Sequence, residues 1–147
     1  MKSFNSVIFL SILFILLFNN PVFGSDWVQY GMSSDGNLYS YDKNDVKYSN
    51  NDIVQVWERF DFSDEGKDRQ IKTLLDEKDS IKGWEKLSYS VSFSEINCKE
   101  RKTQLLSLTL YDRNNGILQS YLSDTPDWKE ILSDTPGDTL RELLCPQ

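Results

Sequence analysis

Two cysteines, Cys98 and Cys145, stand behind an N-terminal stretch that reads as an export signal. This arrangement constrains the fold more than any other feature of the chain. Outside the reducing cytosol, a lone Cys pair in a small domain is expected to close as one disulfide. From Cys98 to Cys145 the bridge would enclose 48 residues, a loop that the chain-entropy model values at about 4 kcal/mol. That energy serves folding and leaves no thiol for chemistry.

The export signal has three parts. Lys2 gives a charged start, residues 7–18 (VIFLSILFILLF) form an apolar run of 12, and small residues follow Asn19-Asn20-Pro21 and end at Gly24. Cleavage is expected after Gly24, so residues 1–24 are a signal peptide and residues 25–147 a single domain. A membrane-spanning helix needs ~20 apolar residues, and no Cys near the cleavage site offers lipid attachment. The expected product is soluble, without stable membrane insertion, and periplasmic, cell-surface or secreted. Its 123 residues suffice for one ordinary core. Removing Lys2 leaves 15 basic against 23 acidic residues, a net charge of −8. Such a surface repels phosphate backbones and anionic lipid, so no nucleic acid partner is expected.

Period-2 patterning dominates the domain. Trp27, Val28 and Tyr30 open one strand, residues 33–37 (SSDGN) read as a turn, and residues 38–41 resume as a second strand. Residues 53–62 (IVQVWERFDF) put Val54, Val56, Phe60 and Phe62 on one face, with Ile53 and Trp57 on the other. In residues 89–98, Tyr89, Val91 and Phe93 alternate with Ser88, Ser90, Ser92 and Ser94. The aromatic side is expected beneath a helix and the serine side opposite. Leu106, Leu108 and Leu110 share a face in the next strand, and Asn115-Gly116 supplies a hairpin turn into residues 117–121.

Two segments read as helical. Ser63 can cap a helix running to Leu75, with Ile71, Leu74 and Leu75 as its stripe and Gly66 weakening it. Near the C-terminus, Thr135-Pro136-Gly137-Asp138 offers a capping Thr, a Pro at the first helical position and an acid in the first turn. Leu140, Leu143 and Leu144 form its stripe before Cys145-Pro146. The pentapeptide LSDTP occurs at 122–126 and again at 132–136, which suggests one helix-start device used twice, first before Trp128, Ile131 and Leu132.

The catalytic inventory is thin. With no His in the chain, His-based triads and most zinc sites are excluded, and no cofactor or metal is expected. Residues 112–116 (DRNNG) fit a hairpin turn better than a calcium loop, because the Gly comes too early and the closing Glu is missing. The chain is not expected to be an enzyme. Lys99, Arg101 and Lys102 form the one concentrated basic spot, a candidate patch for a sulfated glycan or an acidic protein face, or a solvated hairpin. The four Trp residues, Trp27, Trp57, Trp84 and Trp128, are expected in the core, with Trp84, beside Gly83 and among charges, the first candidate among them for exposure.

Several of these residues together resemble a known family. Trp27, Tyr30, Tyr39-Ser40-Tyr41-Asp42 and Val54/Val56-Trp57 near the start are part of the likeness. So are Glu95-Ile96-Asn97-Cys98, Tyr111-Asp112, Asn115-Gly116, Trp128 and Leu144-Cys145. The pattern is similar to the surface-adhesin protein E family of exported bacterial proteins. The resemblance implies an α+β fold: a curved antiparallel sheet of about six strands with a C-terminal helix held against it through the Cys pair. It also implies a non-catalytic binding or adhesion module, since the family's named member binds host matrix and serum proteins. The partner expected here is an unknown protein or glycan. The alternative is a periplasmic structural or assembly protein of the cell envelope.

Overall fold

The computed structural model describes residues 24–49, 52–76 and 83–146. Apart from Gly24, the export signal read over residues 1–24 lies outside them. In chain order the elements are β1 (Trp27–Met32), β2 (Leu38–Asp42), β3 (Lys47–Tyr48), β4 (Ile53–Asp61), α1 (Asp64–Asp76), β5 (Leu87–Asn97), β6 (Lys102–Asp112), β7 (Ile117–Leu122), β8 (Lys129–Glu130) and α2 (Pro136–Leu144). The strands pair antiparallel in the order β1-β2-β4-β5-β6-β7, with β3 added to β4 and β8 to β6. This is the α+β architecture expected from the sequence.

Side chains directly opposite each other in an antiparallel pair share a face of the sheet, so the register sorts the core. Val54 faces Ile96, Val56 faces Ser94, Glu58 faces Ser92 and Phe60 faces Ser90. Val54, Val56 and Ile96 form the main buried cluster with Ile131, Leu140, Leu144 and Cys145. Helix α2 therefore packs on the serine side of β5. At the other end of the same face, Trp84, Leu87 and Leu110 form a second cluster with Phe62, Ile71 and Leu118, which seats α1. The side chains of Leu74 and Leu75 lie outside the described ones.

The orientation of β5 is thus the reverse of the sequence expectation. Tyr89, Val91 and Phe93 face Asp61, Arg59 and Trp57 on the opposite side of the sheet. They are covered by lateral stacking rather than by a helix. Trp57 and Phe93 stack at 4.6 Å, Tyr89 and Tyr111 stack at 4.8 Å, and the Arg59 guanidinium sits 4.0 Å over the Tyr89 ring. Three local readings also change. A register shift opposite Phe93/Ser94 places Leu105, not Leu106, across from Ser94. Trp84, the first candidate for exposure, is buried in the second cluster. The first LSDTP copy leads into the two-residue strand β8 rather than a helix.

Both helix starts follow the sequence chemistry. The Ser63 hydroxyl accepts from Gly66 N at 2.9 Å, and the Thr135 hydroxyl accepts from Asp138 N at 3.3 Å, with Pro136 in the first turn. Cys98, one residue beyond β5, and Cys145, the residue that ends α2, form the disulfide with their Cα atoms 5.6 Å apart. In α1, Gly66 has a role that helix propensity does not show. Asn37, only 6% exposed, accepts from Ser63 N at 2.9 Å through Oδ1, and a Cβ on residue 66 would overlap its amide.

Two outcomes follow. Gly66→Ala, which propensity alone would score as stabilising by ~1 kcal/mol, is expected to lower the midpoint of chemical denaturation because Asn37 must abandon Ser63. An unchanged or higher midpoint would show that Asn37 yields at no cost. Replacing Cys98 and Cys145 together by Ala is expected to cost ~2–5 kcal/mol in the same assay, and a variant as stable as the parent would contradict a structural bridge.

Candidate functional site

The two helices cover only the ends of the sheet face they share. Between them the floor consists of short side chains, Ser90, Ser92 and Ser94 on β5, and among the described residues it carries two depressions of ligand size. The first, of about 350 Å³, is lined by Phe62, Trp84, Leu108 and Leu110 together with Gln70 and Gln119. The second, of about 320 Å³, is lined by Glu58, Ser94, Thr103 and Leu105 with Asp127 and Lys129. Tyr121 of β7 lines both and is 53% exposed. Volumes of ~300–1,000 Å³ are typical of small-molecule sites.

Glu58 is the chemically distinctive residue of this cleft. Strand alternation puts its carboxyl on the face that carries Val54 and Val56, so β4 delivers a charge to the covered side of the sheet. Tyr30, at the irregularity where β1 shifts register against β2, donates its hydroxyl to Glu58 Oε2 at 2.9 Å. Glu58 is half-buried, and burial of its carboxyl raises the pKa, while hydrogen bonds from Tyr30 and Ser94 pull it down by less. The Tyr30 phenol is pushed up by burial first and then by the Glu58 charge. Tyr30 and Tyr39 extend this polar pair into an aromatic wall, with Tyr39 and Phe60 4.9 Å apart edge to face.

The basic residues singled out in the sequence gather at the β5–β6 turn, and none of them lines either depression. Arg101, held at φ 55, donates to Asp138 Oδ1 at 3.1 Å and to Ser133 at 3.3 Å. Asp138 also accepts from Arg141 at 2.9 Å, and these two guanidiniums, Arg141 foremost, hold its carboxyl below the usual range. Lys102 pairs with Glu100 at 3.0 Å, whereas Lys99 is exposed and makes no ion pair among the described residues. Two of the three cations are therefore engaged within the molecule, and Arg101 serves to pin the turn to α2. Among the described residues no group of three or more His, Cys, Asp or Glu is placed to hold a metal ion.

Glu58, Tyr30, Ser94 and Tyr121 did not stand out in the sequence. One signal was available for Glu58, a lone acid on the apolar face between Val56 and Phe60 in the 53–62 run. Nothing comparable marked Tyr121, which becomes part of the cleft only through the pairing of β7 with β6, where it faces Leu108.

Sheet, helices, bridge and cleft together define a small disulfide-tied α+β domain with an open site of ligand size. The model of the family described as surface-adhesin protein E matches residues 27–146, and the chain belongs to that family. Among solved structures, a selenomethionine form of Haemophilus influenzae protein E superposes with a TM-score of 0.53 at 10% identity, covering 83% of this chain and 87% of that one. A second crystal form of that protein gives a TM-score of 0.53 at 9% identity, with coverage of 83% and 88%. At such identity the likeness establishes the fold and not the ligand. No curated protein matches the sequence. Membership points to an adhesion-type module rather than an enzyme, exported or displayed at the cell surface. No helix among the described residues is long and apolar enough to cross a membrane.

The raised pKa of Glu58 carries a sign. A carboxyl whose folded pKa exceeds its unfolded value binds protons more tightly in the native state, so stability falls as pH rises from about 4.5 through the folded pKa. Glu58→Gln is expected to raise the melting temperature at neutral pH and to flatten that part of the pH profile. A variant that is less stable than the parent at pH 7 would show that the charge is stabilising.

Proposed function

We propose that the mature domain is an exported, non-catalytic adhesion module whose contact surface is the cleft around Glu58 and Tyr121. The observation that carries this reading is the open, ligand-sized depression floored by serines on the helix-bearing face, in a chain that belongs to an adhesin family. The missing His and the bridged cysteines leave few groups for nucleophilic or acid–base chemistry. Contact at the cleft is preferred to contact at Lys99, Arg101 and Lys102, because Arg101 and Lys102 already hold internal partners.

A second reading, an assembly protein of the periplasm, draws on β7. This edge strand carries no charge in ILQSYL and exposes Ile117, Tyr121 and Leu122, a surface open to strand addition from another envelope component.

Fractionation of producing cells combined with a solid-phase assay on reconstituted basement-membrane matrix separates the two. The adhesion reading expects protein on the surface or in the medium, and saturable matrix binding that Tyr121→Ala weakens at least tenfold without changing the melting temperature. Protein confined to the periplasm, with no matrix binding, would overturn it in favour of the assembly role.

A further inference from the structure

The chemistry of the two depressions is more specific than their size. Each combines an apolar wall with hydrogen-bonding groups that carry little net charge. On one side Phe62, Leu108 and Leu110 stand beside the side-chain amides of Gln70 and Gln119. On the other, the hydroxyls of Ser94, Thr103, Ser123 and Thr125 stand with Glu58, Asp127 and Lys129 around Leu105. Tyr121 projects at the junction, with about half its surface exposed.

A pyranose ring asks for this mixture. Its C–H face packs on an aromatic ring, and its hydroxyls each donate and accept, so they pair with carboxylates, amides and hydroxyls. Peptide ligands of the common recognition modes use an extended free edge or a long apolar groove. The free edge of β7 borders this face, but the two depressions themselves are short and rich in hydroxyl and amide groups rather than a continuous apolar groove. Anionic ligands are disfavoured as well. The chain is acidic, at −7 overall, and among the described residues Lys129 is the only cation lining either depression, alongside Glu58 and Asp127. Glu58 fits a neutral hydroxyl better than a cation. Tyr30 fixes its Oε2, and burial already disfavours a bare negative charge there.

We propose that this face binds a neutral oligosaccharide of about two or three rings, laid across Tyr121, with its hydroxyls received by Gln70 and Gln119 at one end and by Glu58, Asp127 and Lys129 at the other. The inference rests on the cleft being the contact surface of the adhesion module, and it names the class of ligand.

The test uses the oxidised mature protein. An array of neutral glycans is followed by NMR titration with maltotriose, cellotriose and tri-N-acetylchitotriose. At least one neutral oligosaccharide is expected to bind with a Kd below about 1 mM. Tyr121→Ala is expected to weaken it at least tenfold, Tyr121→Phe to stay within about twofold, and Ile117→Ser, at an exposed position outside both depressions, to have no effect. Absence of binding across the array and all three sugars overturns the proposal, and so does binding that Tyr121→Ala leaves unchanged. The matrix assay, repeated on enzymatically deglycosylated matrix, separates this failure from failure of the adhesion reading. Binding that survives deglycosylation but is lost in Tyr121→Ala keeps the site and rejects the sugar. Binding to untreated matrix that is lost on deglycosylation supports the sugar, whereas no binding by the parent protein even to untreated matrix rejects the adhesion role itself.

Discussion

Leu140 pressed against Val54 and Val56 is the contact on which the remaining architecture depends. All three side chains are at most 1% exposed, and full burial of each contributes ~1.5–3 kcal/mol before the entropy of ordering is charged against it. This contact decides which side of the sheet the C-terminal helix occupies. The disulfide and the Arg101–Asp138 pair then hold the helix at the β5–β6 end of that side. With α1 seated at the far end, the middle of the face is left with serines where a fuller core would have Leu or Val. The cleft is thus a by-product of covering a long sheet with two short helices, and the small β5 residues keep it open.

That division of labour explains what the sequence disclosed and what it hid. Features set by neighbours along the chain were legible: the Ser63 and Thr135 caps, the Asn115 turn, the strand runs, and the Cys pair that needs a helix end near a strand end. Features set across the chain were not. Alternation in residues 89–94 says that the two faces of β5 differ, but not which one receives a helix. Large aromatic residues suggest an interior, yet here Tyr89 and Phe93 gain their cover from sideways stacking with Tyr111 and Trp57. The slip near Leu106 and the fate of the first LSDTP copy likewise depend on strand partners that no local pattern names. Gly66 is the reverse case, a residue that looks like a weakness in its helix until Asn37 is seen occupying the space.

The candidate site was the least legible part, for the same reason. The cleft draws on β4, β5, β6, β7 and the segment around β8, and it exists only once those are paired. What could be read was an anomaly, a carboxyl on an apolar strand face. Burying such a group costs stability, and costs of that kind gather at sites that do something. The conspicuous basic cluster, by contrast, is largely consumed in holding the molecule together. Solved structures near 10% identity share this fold, and at that distance the likeness extends to the backbone and not to the cleft's side chains.

The bare flank of β7 has a consequence for the molecule in bulk. Natural edge strands usually carry a Lys, a Pro or a bulge that discourages pairing with another chain. Strand β7 slips register near its start, at Leu118, but residues 117–122 offer only apolar and neutral side chains. The overall excess of acids, −7 across the chain, supplies mutual repulsion between copies at neutral pH. Mild acidification neutralises that excess and relieves the buried Glu58, while the Asp138 carboxyl, held below the usual range by Arg141 and Arg101, keeps its charge, so the force that disperses copies is removed first. Such a protein should cloud near its isoelectric point with its native structure intact, which light scattering read beside circular dichroism would register as turbidity without unfolding.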